Sequence, residues 1–367
     1  MEKLSCFAVV VPGLEGLVAD ELNELSAHDV VQEPGGVGFH ASMDTLFRIN
    51  LRSRCATRIV VRLATFKALT FPELYNKARK IAWQKYIGNG VAVEVKASCH
   101  RSKLLHSGRA QQAVLDGVAA SDGMGSHRAG DAIQQIMLRI DDDICTISID
   151  ASGERLDRRG YRKHAGFAPL RETIAAALLR WMEYKPEQPL LSPMCGSGTF
   201  AVEAALIAGK RAAGSGHDFP FLRWPSLKQK RWQRVLEKTE AMRIEATPTI
   251  HASDIDAGVL AQAGKNARQA GVEKMIDFKL LDVRKLAAPE GATGPGLLVC
   301  NPPYGDRVKG DVRALYRSLG QLFAESFAGW SMVVIVPDQG CEHALGMPAK
   351  RRLKIKHGGK WVYALEL

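Results

Sequence analysis

The segment that decides the fold covers residues 189–208 and reads PLLSPMCGSGTFAVEAALIA. It opens with three apolar residues, enough for a short buried strand. A loop of small residues follows, in which Gly196 and Gly198 permit a tight turn. From Thr199 the apolar residues recur at helical spacing, and Gly209 supplies a stop. The segment therefore predicts a strand, a tight loop and a helix in immediate succession.

The same order recurs through the rest of the C-terminal half. Short apolar runs predict four further strands, at residues 249–252, 276–281, 296–300 and 332–336. Between them, residues 259–269 and 315–327 have the spacing of helices. Strands that alternate with helices are typical of a parallel, doubly wound sheet. The C-terminal half is therefore predicted to be α/β and Rossmann-like.

The N-terminal half is less regular. Short β-like runs lie near residues 9–11, 59–63, 91–96 and 144–149, and helical patterns cover 16–25, 42–51 and 71–83. This mixture predicts an α+β region made of two small units. Residues 212–246 carry two tryptophans, two prolines and several basic residues, and are predicted to be an insertion after the first crossover helix.

Composition excludes several classes of protein. The chain has 367 residues, 46% hydrophobic and 24% charged, which is globular and suggests two or three domains. Apolar runs are too short for a membrane span, and no signal peptide is expected at the N-terminus. Seven scattered cysteines without a CxxC pair predict no metal site and reduced thiols in a cytosol. The net charge of +11 favours a polyanionic partner.

Four features follow successive predicted strands. They are the Gly196/Gly198 loop, Asp254, Asp282 and the tetrad Asn301-Pro302-Pro303-Tyr304. Ligands of open parallel sheets bind beyond the carboxyl ends of the strands, so these features are expected to converge on one crevice. In a nicotinamide-cofactor site, the acid that binds the ribose is expected roughly 20 residues after the glycine loop, and Asp254 lies much further along the chain. A phosphate-binding loop for ATP is not indicated either, because the sequence has no Gly-Lys-Ser/Thr motif.

The tetrad is the most specific of these features. Pro302 and Pro303 fix the backbone and remove two N–H donors. The remaining groups are acceptors, the Asn301 amide oxygen and a proline carbonyl, which suit a planar –NH2 group. Accepting both of its hydrogens draws the nitrogen lone pair out of conjugation and makes the nitrogen a better nucleophile. Tyr304 supplies a face on which a planar base can stack.

These residues resemble a known family. The tetrad, the loop Pro193–Thr199 and the Ser253–Asp256 segment are similar to class I S-adenosylmethionine-dependent amino-methyltransferases. More narrowly, the chain resembles the THUMP-containing RNA guanine-N2 methyltransferases. This narrower resemblance rests on the segments 51–58 (LRSRCATR), 150–162 (DASGERLDRRGYR) and 168–173 (APLRET).

The resemblance implies three domains. They are a ferredoxin-like unit over residues 1–64, a THUMP-like RNA-binding domain over 65–152 and a methyltransferase domain over 153–367. It implies that Asp254 holds ribose hydroxyls, that Asp282 lies near the adenine amino group and that the tetrad holds a guanine. The implied S-adenosylmethionine site comprises Ser192, Met194, Cys195, Gly196, Ser197, Gly198, Thr199, Asp254, Ile255, Asp282, Val283 and Asn301. The implied product is N2-methylguanosine, in ribosomal RNA or tRNA.

Ser192 departs from the family pattern, which has aspartate before the loop proline. Losing a charge-assisted hydrogen bond weakens binding by roughly 1.5–3 kcal/mol, or about tenfold to a hundredfold. An RNA-binding or assembly factor with weakened cofactor binding is therefore one alternative. Another keeps the enzyme but changes the acceptor to DNA adenine or a protein glutamine, because each presents a planar –NH2 group.

Basic clusters offer handles for RNA. The sequence suggests four, comprising Arg48, Arg52, Arg54, Arg58 and Arg62; Lys96, His100, Arg101, Lys103 and His106; Arg158, Arg159, Arg162 and Lys163; and Lys350, Arg351, Arg352, Lys354 and Lys356. Arginine suits phosphates because its fork is bidentate and permanently charged. The first cluster equally fits a face that pairs with nearby acids, and the last equally fits the edge of a strand.

Overall fold

The computed structural model describes residues 3–122, 132–162, 170–289, 294–303 and 311–367. These form two compact units. The first comprises the chain up to Val10, Ala19–Leu156 and His217–Lys238, and the second comprises Val11–Val18, Asp157–Gly216 and Thr239–Leu367.

The strands are β1 (Leu4–Val9), β2 (His28–Glu33), β3 (Gly36–Ala41), β4 (Arg58–Lys67), β5 (Ala92–His100), β6 (Ile133–Asp141), β7 (Ile144–Asp150), β8 (Leu190–Ser192), β9 (Ile250–Asp254), β10 (Asp277–Leu280), β11 (Leu297–Cys300), β12 (Ser331–Val336), β13 (Arg351–His357) and β14 (Lys360–Glu366). The α-helices are α1 (Glu15–Glu24), α2 (Met43–Arg52), α3 (Phe71–Arg79), α4 (Ser107–Ala119), α5 (Glu172–Trp181), α6 (Thr199–Ala208), α7 (Gln229–Glu240), α8 (Ala257–Gln269), α9 (Val312–Ser326) and α10 (Gln339–Ala344). Single 3-10 turns cover Trp83–Lys85, Pro220–Arg223, Glu273–Met275 and Val283–Lys285.

The first unit is built on a seven-stranded sheet in the order β2-β3-β1-β4-β7-β6-β5. Neighbouring strands are antiparallel except β5 and β6, which run parallel. The long strand β4 pairs with β1 through its first residues and with β7 from Val60 onward. The two N-terminal units expected from the sequence therefore share one continuous hydrogen-bonded sheet.

Part of the predicted insertion belongs to the first unit. Phe219 and Phe221 stack with ring centroids 5.0 Å apart, and Phe47 of α2 lies 4.9 Å from Phe221. Trp224 Nε1 donates a 2.8 Å hydrogen bond to Gln134 Oε1 on β6. Buried aromatic clusters of this kind contribute more per residue than aliphatic contacts. Residues 217–238 thus complete a core whose other members lie far earlier in the chain.

The second unit has a sheet in the order β10-β9-β8-β11-β12-β14-β13. The first five strands are parallel, as predicted, whereas β14 is antiparallel to both β12 and β13. The predicted parallel, doubly wound sheet is therefore confirmed for its five strands, and the antiparallel strands β13 and β14 at this end were not predicted. The last two strands form a hairpin around Gly358 and Gly359, whose φ angles of +57° and +82° allow the tight reversal. A hairpin makes its two strands antiparallel.

The core of the second unit fixes the strands that carry the tetrad and the glycine loop. All four residues of β11 are buried, and so are the last five of β12. Helix α9 packs Leu319 and Phe323 into this core, and Tyr316 donates a 2.9 Å hydrogen bond to the Ile335 carbonyl. Each such buried apolar side chain contributes roughly 1.5–3 kcal/mol. The carboxyl end of β11 is therefore a rigid platform.

Most predicted helix boundaries agree with the structure within three residues, but α3 ends at Arg79, four residues before the predicted end at residue 83. Helix α6 covers the predicted residues 199–208. Helix α8 begins two residues early because the Asp256 carboxylate accepts hydrogen bonds from the Gly258 and Val259 amides, at 2.8 and 3.0 Å. Helix α9 likewise begins early, with Asp311 accepting from the Arg313 amide at 2.9 Å. In the described ranges no helix is long and apolar enough to cross a membrane.

Candidate active site

A cavity of about 890 Å³ opens at the carboxyl ends of β8, β9 and β11 and at the loop after β10. Its place and size are typical of a small-molecule site in an open parallel sheet. The predicted site residues that line it are Ser192, Met194, Cys195, Gly196, Ser197, Thr199, Asp254, Ile255, Asp282, Val283, Asn301 and Pro303. The structure thus brings most of the predicted site into one place.

Two of the predicted residues that the structure describes do not line the cavity. Gly198 and Pro302 are neighbours of lining residues but are not themselves part of the wall. Tyr304 lies outside the described residues. Nine lining residues were not predicted from the sequence, namely Leu170, Pro193, Phe200, Val259, Leu281, Arg284, Ala314, Leu315 and Ser318. Ala314, Leu315 and Ser318 belong to α9, which begins at the rim of the cavity. The predicted start of this helix was the one feature of the sequence that could have indicated them.

The glycine loop is held from outside itself. Gly196 and Gly198 have φ angles of +56° and +78°, in the left-handed region that favours glycine. A Cβ on Gly198 would lie 3.0 Å from the Ala263 Cβ, whereas one on Gly196 would meet nothing within 4 Å. Asn266 of α8 donates a 2.9 Å hydrogen bond to the Ser197 carbonyl. Asn266 is a fully buried polar residue on an otherwise apolar helix face, a pattern that the sequence analysis overlooked.

Asp254 ends β9 and shapes the loop opposite. Its Oδ2 accepts a 3.0 Å hydrogen bond from the Gly196 amide, and its Oδ1 accepts a 3.1 Å bond from the Asp256 amide. A carboxylate has about four acceptor sites, so each oxygen retains a lone pair for a further donor. Asp254 can therefore hold the loop and accept from ligand hydroxyl groups at once.

Asp282 follows β10 on the same rim. The Arg284 side chain, which forms a two-nitrogen ion pair with it, lowers the pKa of Asp282 to about 2, and the Arg284 amide adds a 3.0 Å hydrogen bond. Asp282 is therefore ionised at neutral pH. An ionised carboxylate accepts hydrogen bonds and cannot donate one, which suits an amino group.

Asn301 directly follows β11. Its Oδ1 atom is buried and has no hydrogen-bond partner among the described residues. Leaving a buried amide oxygen unsatisfied costs about 1–3 kcal/mol, so such atoms are uncommon unless a ligand meets them. Asn301 and Pro303 both line the cavity, so the residue that carries this acceptor adjoins the space that a ligand would fill.

A buried ionic network lies behind the cavity wall. Arg162 donates to the Leu170 carbonyl at 3.0 Å and to Glu172 Oε2 at 2.7 Å, and it lies 3.4 Å from Thr199 Oγ1. Burial raises the pKa of Glu172 to about 7 despite the neighbouring guanidinium. Leu170 and Thr199 both line the cavity, so Arg162 ties two parts of its wall together.

Several predicted RNA handles have intramolecular partners instead. Arg48 donates to the Leu25 carbonyl, Arg58 pairs with the buried Asp150, and Arg62 forms a two-nitrogen ion pair with Glu33. Arg159 and Arg162 belong to buried ion pairs in the second unit. The alternative that the first cluster pairs with nearby acids therefore holds for Arg58 and Arg62. Lys163 lies outside the described residues.

The comparisons with known proteins identify the class. Residues 159–361 match a family described as an RMKL-like methyltransferase domain, residues 5–60 match an RlmL ferredoxin-like domain, and residues 68–150 match a THUMP domain. The fold and the cavity are therefore those of a methyltransferase with two N-terminal accessory domains. This chain belongs to the RMKL-like methyltransferase family.

Two relatives support this assignment along nearly the whole chain. YpsC of Bacillus subtilis (strain 168), named provisionally as an RNA methyltransferase, is 33% identical over 98% of this chain and 94% of its own length. A ribosomal RNA large subunit methyltransferase K/L of Syntrophotalea carbinolica is 34% identical over 96% of this chain. The alignment covers 52% of that relative, so this chain spans about half its length.

Two crystal structures share the architecture. SMU.472, complexed with SAH, has a TM-score of 0.91 at 28% identity, over 100% of this chain and 98% of that one. A Listeria monocytogenes protein, provisionally named an N6-adenine-specific DNA methylase, has a TM-score of 0.90 at 31% identity, over 100% of this chain and 96% of that one.

The cofactor is S-adenosylmethionine, as the methyltransferase family and the SAH-bound neighbour indicate. The cavity fits such a molecule. The open space beside Gly196 admits close approach of a ligand to the backbone, and Asp254 and Asp282 offer acceptors on neighbouring strand ends. A ligand with hydroxyl and amino donors is complementary to these two carboxylates.

Proposed function

We propose that this protein transfers a methyl group from S-adenosylmethionine to the N2 atom of a guanine in RNA and so forms N2-methylguanosine. The observation that carries the proposal is the buried Asn301 Oδ1, which has no hydrogen-bond partner among the described residues and lies at the wall of the cofactor cavity. An acceptor in that position is complementary to a planar amino group. A hydroxyl or thiol group carries a single hydrogen, so it could not donate to both Asn301 Oδ1 and the Pro302 carbonyl.

The tetrad performs the chemistry by orientation. Asn301 Oδ1 and the Pro302 carbonyl accept the two N2 hydrogens, and Pro303 keeps a competing backbone donor away. Tyr304 is proposed to stack on the guanine ring. The N2 lone pair then attacks the methyl carbon while the carbon–sulfur bond breaks, and the surplus proton on nitrogen leaves to water. Alignment supplies most of the rate enhancement, and no strong base is needed before the attack.

The cofactor contacts are proposed from the same wall and from Gly198, which adjoins it. Gly196, Ser197 and Gly198 would pack against the methionine part, Asp254 would accept from the ribose hydroxyls, and Asp282 would accept from the adenine amino group. The remaining proposed contacts are Ser192, Met194, Cys195, Thr199, Ile255, Val283 and Asn301.

The RNA assignment draws on the accessory domains. A THUMP domain and relatives named for RNA and ribosomal RNA favour an RNA acceptor, with ribosomal RNA as the substrate and tRNA as the other choice. The guanine would be single-stranded or flipped out of its stack, because a paired N2 cannot reach the cavity. We propose domain boundaries at residues 1–64, 65–152 and 153–367, and action in the cytosol.

One assay tests the acceptor, the atom and the cofactor together. The full-length protein is incubated with methyl-labelled S-adenosylmethionine and unmodified total RNA, and the RNA is digested to nucleosides. Label in N2-methylguanosine is the expected result. Label in another nucleoside, or in DNA offered in parallel, would overturn the guanine-N2 assignment while leaving the methyltransferase intact.

A second candidate function rests on Ser192. A neutral residue at the end of β8 removes a charge that the family pattern places against the cofactor, and a protein with weak cofactor binding would act as an RNA-binding or assembly factor. Salt-dependent RNA binding without any label transfer would favour this candidate. Label in DNA adenine would instead favour the activity named for the Listeria structure.

A further inference from the structure

The C-terminal hairpin carries a basic and aromatic stripe on its open face. Lys354 and Lys356 are two residues apart on β13, so their side chains share a face of the sheet. In the antiparallel register Lys356 lies opposite Trp361, and Lys354 lies opposite Tyr363. The Lys354 ammonium sits 5.0 Å from the Trp361 ring centroid. We call Lys354, Lys356 and Trp361 the hairpin stripe.

The hairpin stripe is exposed, and its lysines have no ionic partners in the part of the chain that the structure describes. Lys354 and Lys356 are exposed, and Trp361 is 48% exposed, an unusual degree for so large an apolar side chain. Neither lysine has a carboxylate partner among the described residues. The neighbouring Arg351 and Arg352, by contrast, pair with Glu366 and Glu342. The stripe therefore combines free positive charge with an open ring face.

Protection of the sheet edge does not account for these lysines. Lysines on edge strands often prevent strands from pairing with another molecule. Here the backbone of residues 12–13 already lies on β13, since the Lys356 amide donates a 3.0 Å hydrogen bond to the Pro12 carbonyl. A Cβ on Gly13 would lie 1.9 Å from the Lys354 carbonyl oxygen, which shows how closely the two backbones approach. The outer edge is thus partly covered without the lysine side chains.

The hairpin stripe lies at the carboxyl-terminal end of the parallel strands, which is the end at which the cavity opens. Val336, the last residue of β12, pairs with Tyr363, so Trp361 extends beyond the carboxyl end of β12. Asn301 follows β11, which is two strands from β14 and three from β13. Neighbouring strands are about 4.8 Å apart, so β14 and β13 lie roughly 10 and 14 Å from the strand that Asn301 follows, measured across the sheet. That separation is suited to nucleotides a few positions from one held at the tetrad.

We propose that the hairpin stripe binds the single-stranded RNA segment next to the target guanine. The two lysines would neutralise phosphates, and Trp361 would stack on a flanking base, a combination typical of sequence-tolerant single-strand binding. This proposal rests on the proposed RNA substrate. It implies that the methyltransferase unit itself contributes to RNA binding, in addition to the N-terminal domains.

The test compares two variants of the full-length protein that remove different parts of the stripe. Lys354→Gln with Lys356→Gln removes two charges, and Trp361→Ala removes the ring. The matched control is Lys185→Gln with Lys274→Gln, two exposed lysines in the same unit that precede β8 and β10 and so lie at the opposite edge. S-adenosylhomocysteine binding, measured by calorimetry, shows that each variant retains its cofactor site.

RNA affinity is measured by fluorescence anisotropy over a series of salt concentrations. The stripe lysine variant should weaken binding at least fivefold and lower the slope of log K against log salt by about 1.4, or 0.7 per phosphate lost. Trp361→Ala should weaken binding about tenfold without changing the slope. The control variant should leave both the RNA affinity and the salt slope nearly unchanged. Only the small effect of removing two positive charges from the whole protein is expected.

The outcomes separate this proposal from the proposed function. Wild-type protein that methylates RNA, with stripe variants that bind as tightly as the control, overturns the hairpin proposal alone. Wild-type protein that neither binds nor methylates RNA overturns both. Loss of RNA affinity in the stripe variants, with unchanged cofactor binding and an unchanged control, is the result that supports it.

Discussion

Ser192→Asp is the most informative single change in the cavity. Ser192 ends β8, is only 2% exposed and lines the cavity beside the glycine loop. The substitution places a carboxylate where the family pattern has one. We expect it to tighten S-adenosylmethionine binding, because the new charge would accept a hydrogen bond from the ammonium group of the cofactor's methionine part.

The magnitude follows from two opposing effects. A charge-assisted hydrogen bond contributes about 1.5–3 kcal/mol, which is a tenfold to hundredfold lower Kd. Ser192 pairs with Ala252, two residues before Asp254, so the two carboxylates would lie about 8 Å apart. At an effective dielectric constant of about 20, their repulsion is about 2 kcal/mol. The free protein should therefore lose stability while the bound protein regains it.

The assay is calorimetric titration with S-adenosylmethionine and S-adenosylhomocysteine, together with the Tm of the free protein. Ser192→Asn is the matched control, since asparagine has the size of aspartate without its charge. We expect tighter binding and a lower Tm for Ser192→Asp, and no gain in affinity for Ser192→Asn. Equal affinities for the two variants would refute the electrostatic reasoning. Affinity that appears only in Ser192→Asp would favour the RNA-binding factor as the native function.

Three further predictions test the other parts of the site. Asn301→Ala should leave S-adenosylhomocysteine binding within about twofold but lower methyl transfer at least a hundredfold, as expected when an orienting acceptor is lost; a normal turnover number would remove Asn301 from the chemistry. Asp254→Ala should raise the Kd for S-adenosylhomocysteine by about tenfold to a hundredfold, since it removes the ribose acceptor and the hydrogen bond to the Gly196 amide; an unchanged Kd in titration would exclude it from the site. Glu172→Gln should flatten the pH dependence of stability. The folded-state pKa of Glu172 is raised from 4.5 to about 7, so its contribution is fully present below pH 4.5 and is lost as pH rises through 7. In the wild type this amounts to about 2–3 kcal/mol between pH 5 and pH 8, measured by urea unfolding, and an identical slope in the variant would contradict the assignment.

The sequence predicted the structure best where a strand has a clear apolar pattern and is followed directly by a distinctive loop. The helix over residues 199–208 was predicted to the residue, and the five parallel strands of the second sheet were found within two residues at each end. Buried parallel strands read as continuous apolar runs, and each ends in a loop of distinctive composition. That combination also predicts Asp254, Asp282 and Asn301 on one rim, where the structure has them.

Elements without such a pattern were missed. Helix α5 is buried at eight consecutive positions from Glu172 to Leu179, so it has no polar face to reveal helical periodicity. Strands β13 and β14 alternate exposed and buried residues, and their lysines and arginines read as a charge cluster. The elements β2, β3, β6, α4, α7 and α10 were likewise not identified, and the strand predicted at residues 9–11 was misplaced, since β1 ends at Val9. Local pattern was ambiguous in each case, and tertiary contacts decided the structure.

Side-chain partners were the least predictable part. Arg58 and Arg62 look like phosphate ligands in the sequence, yet Asp150 and Glu33 pair with them across the sheet. Those acids lie 92 and 29 residues away along the chain, and nothing local marks them as partners. The same reasoning explains why Asn266 was overlooked, since its contact with Ser197 joins residues 69 apart.

The way the glycine loop is held bears on what Ser192 means for activity. The loop takes its shape from the Asp254 carboxylate on the Gly196 amide and from Asn266 on the Ser197 carbonyl, and neither contact involves Ser192. The absence of the carboxylate that the family pattern has at position 192 should therefore leave the loop conformation unchanged. It should lower only the affinity for the cofactor, through the lost interaction with the charged end of the methionine part. A change confined to affinity can be offset by cofactor concentration, whereas a deformed loop could not be. On this reasoning Ser192 is compatible with an active enzyme, and restoring the aspartate should change Kd far more than the rate at saturating cofactor.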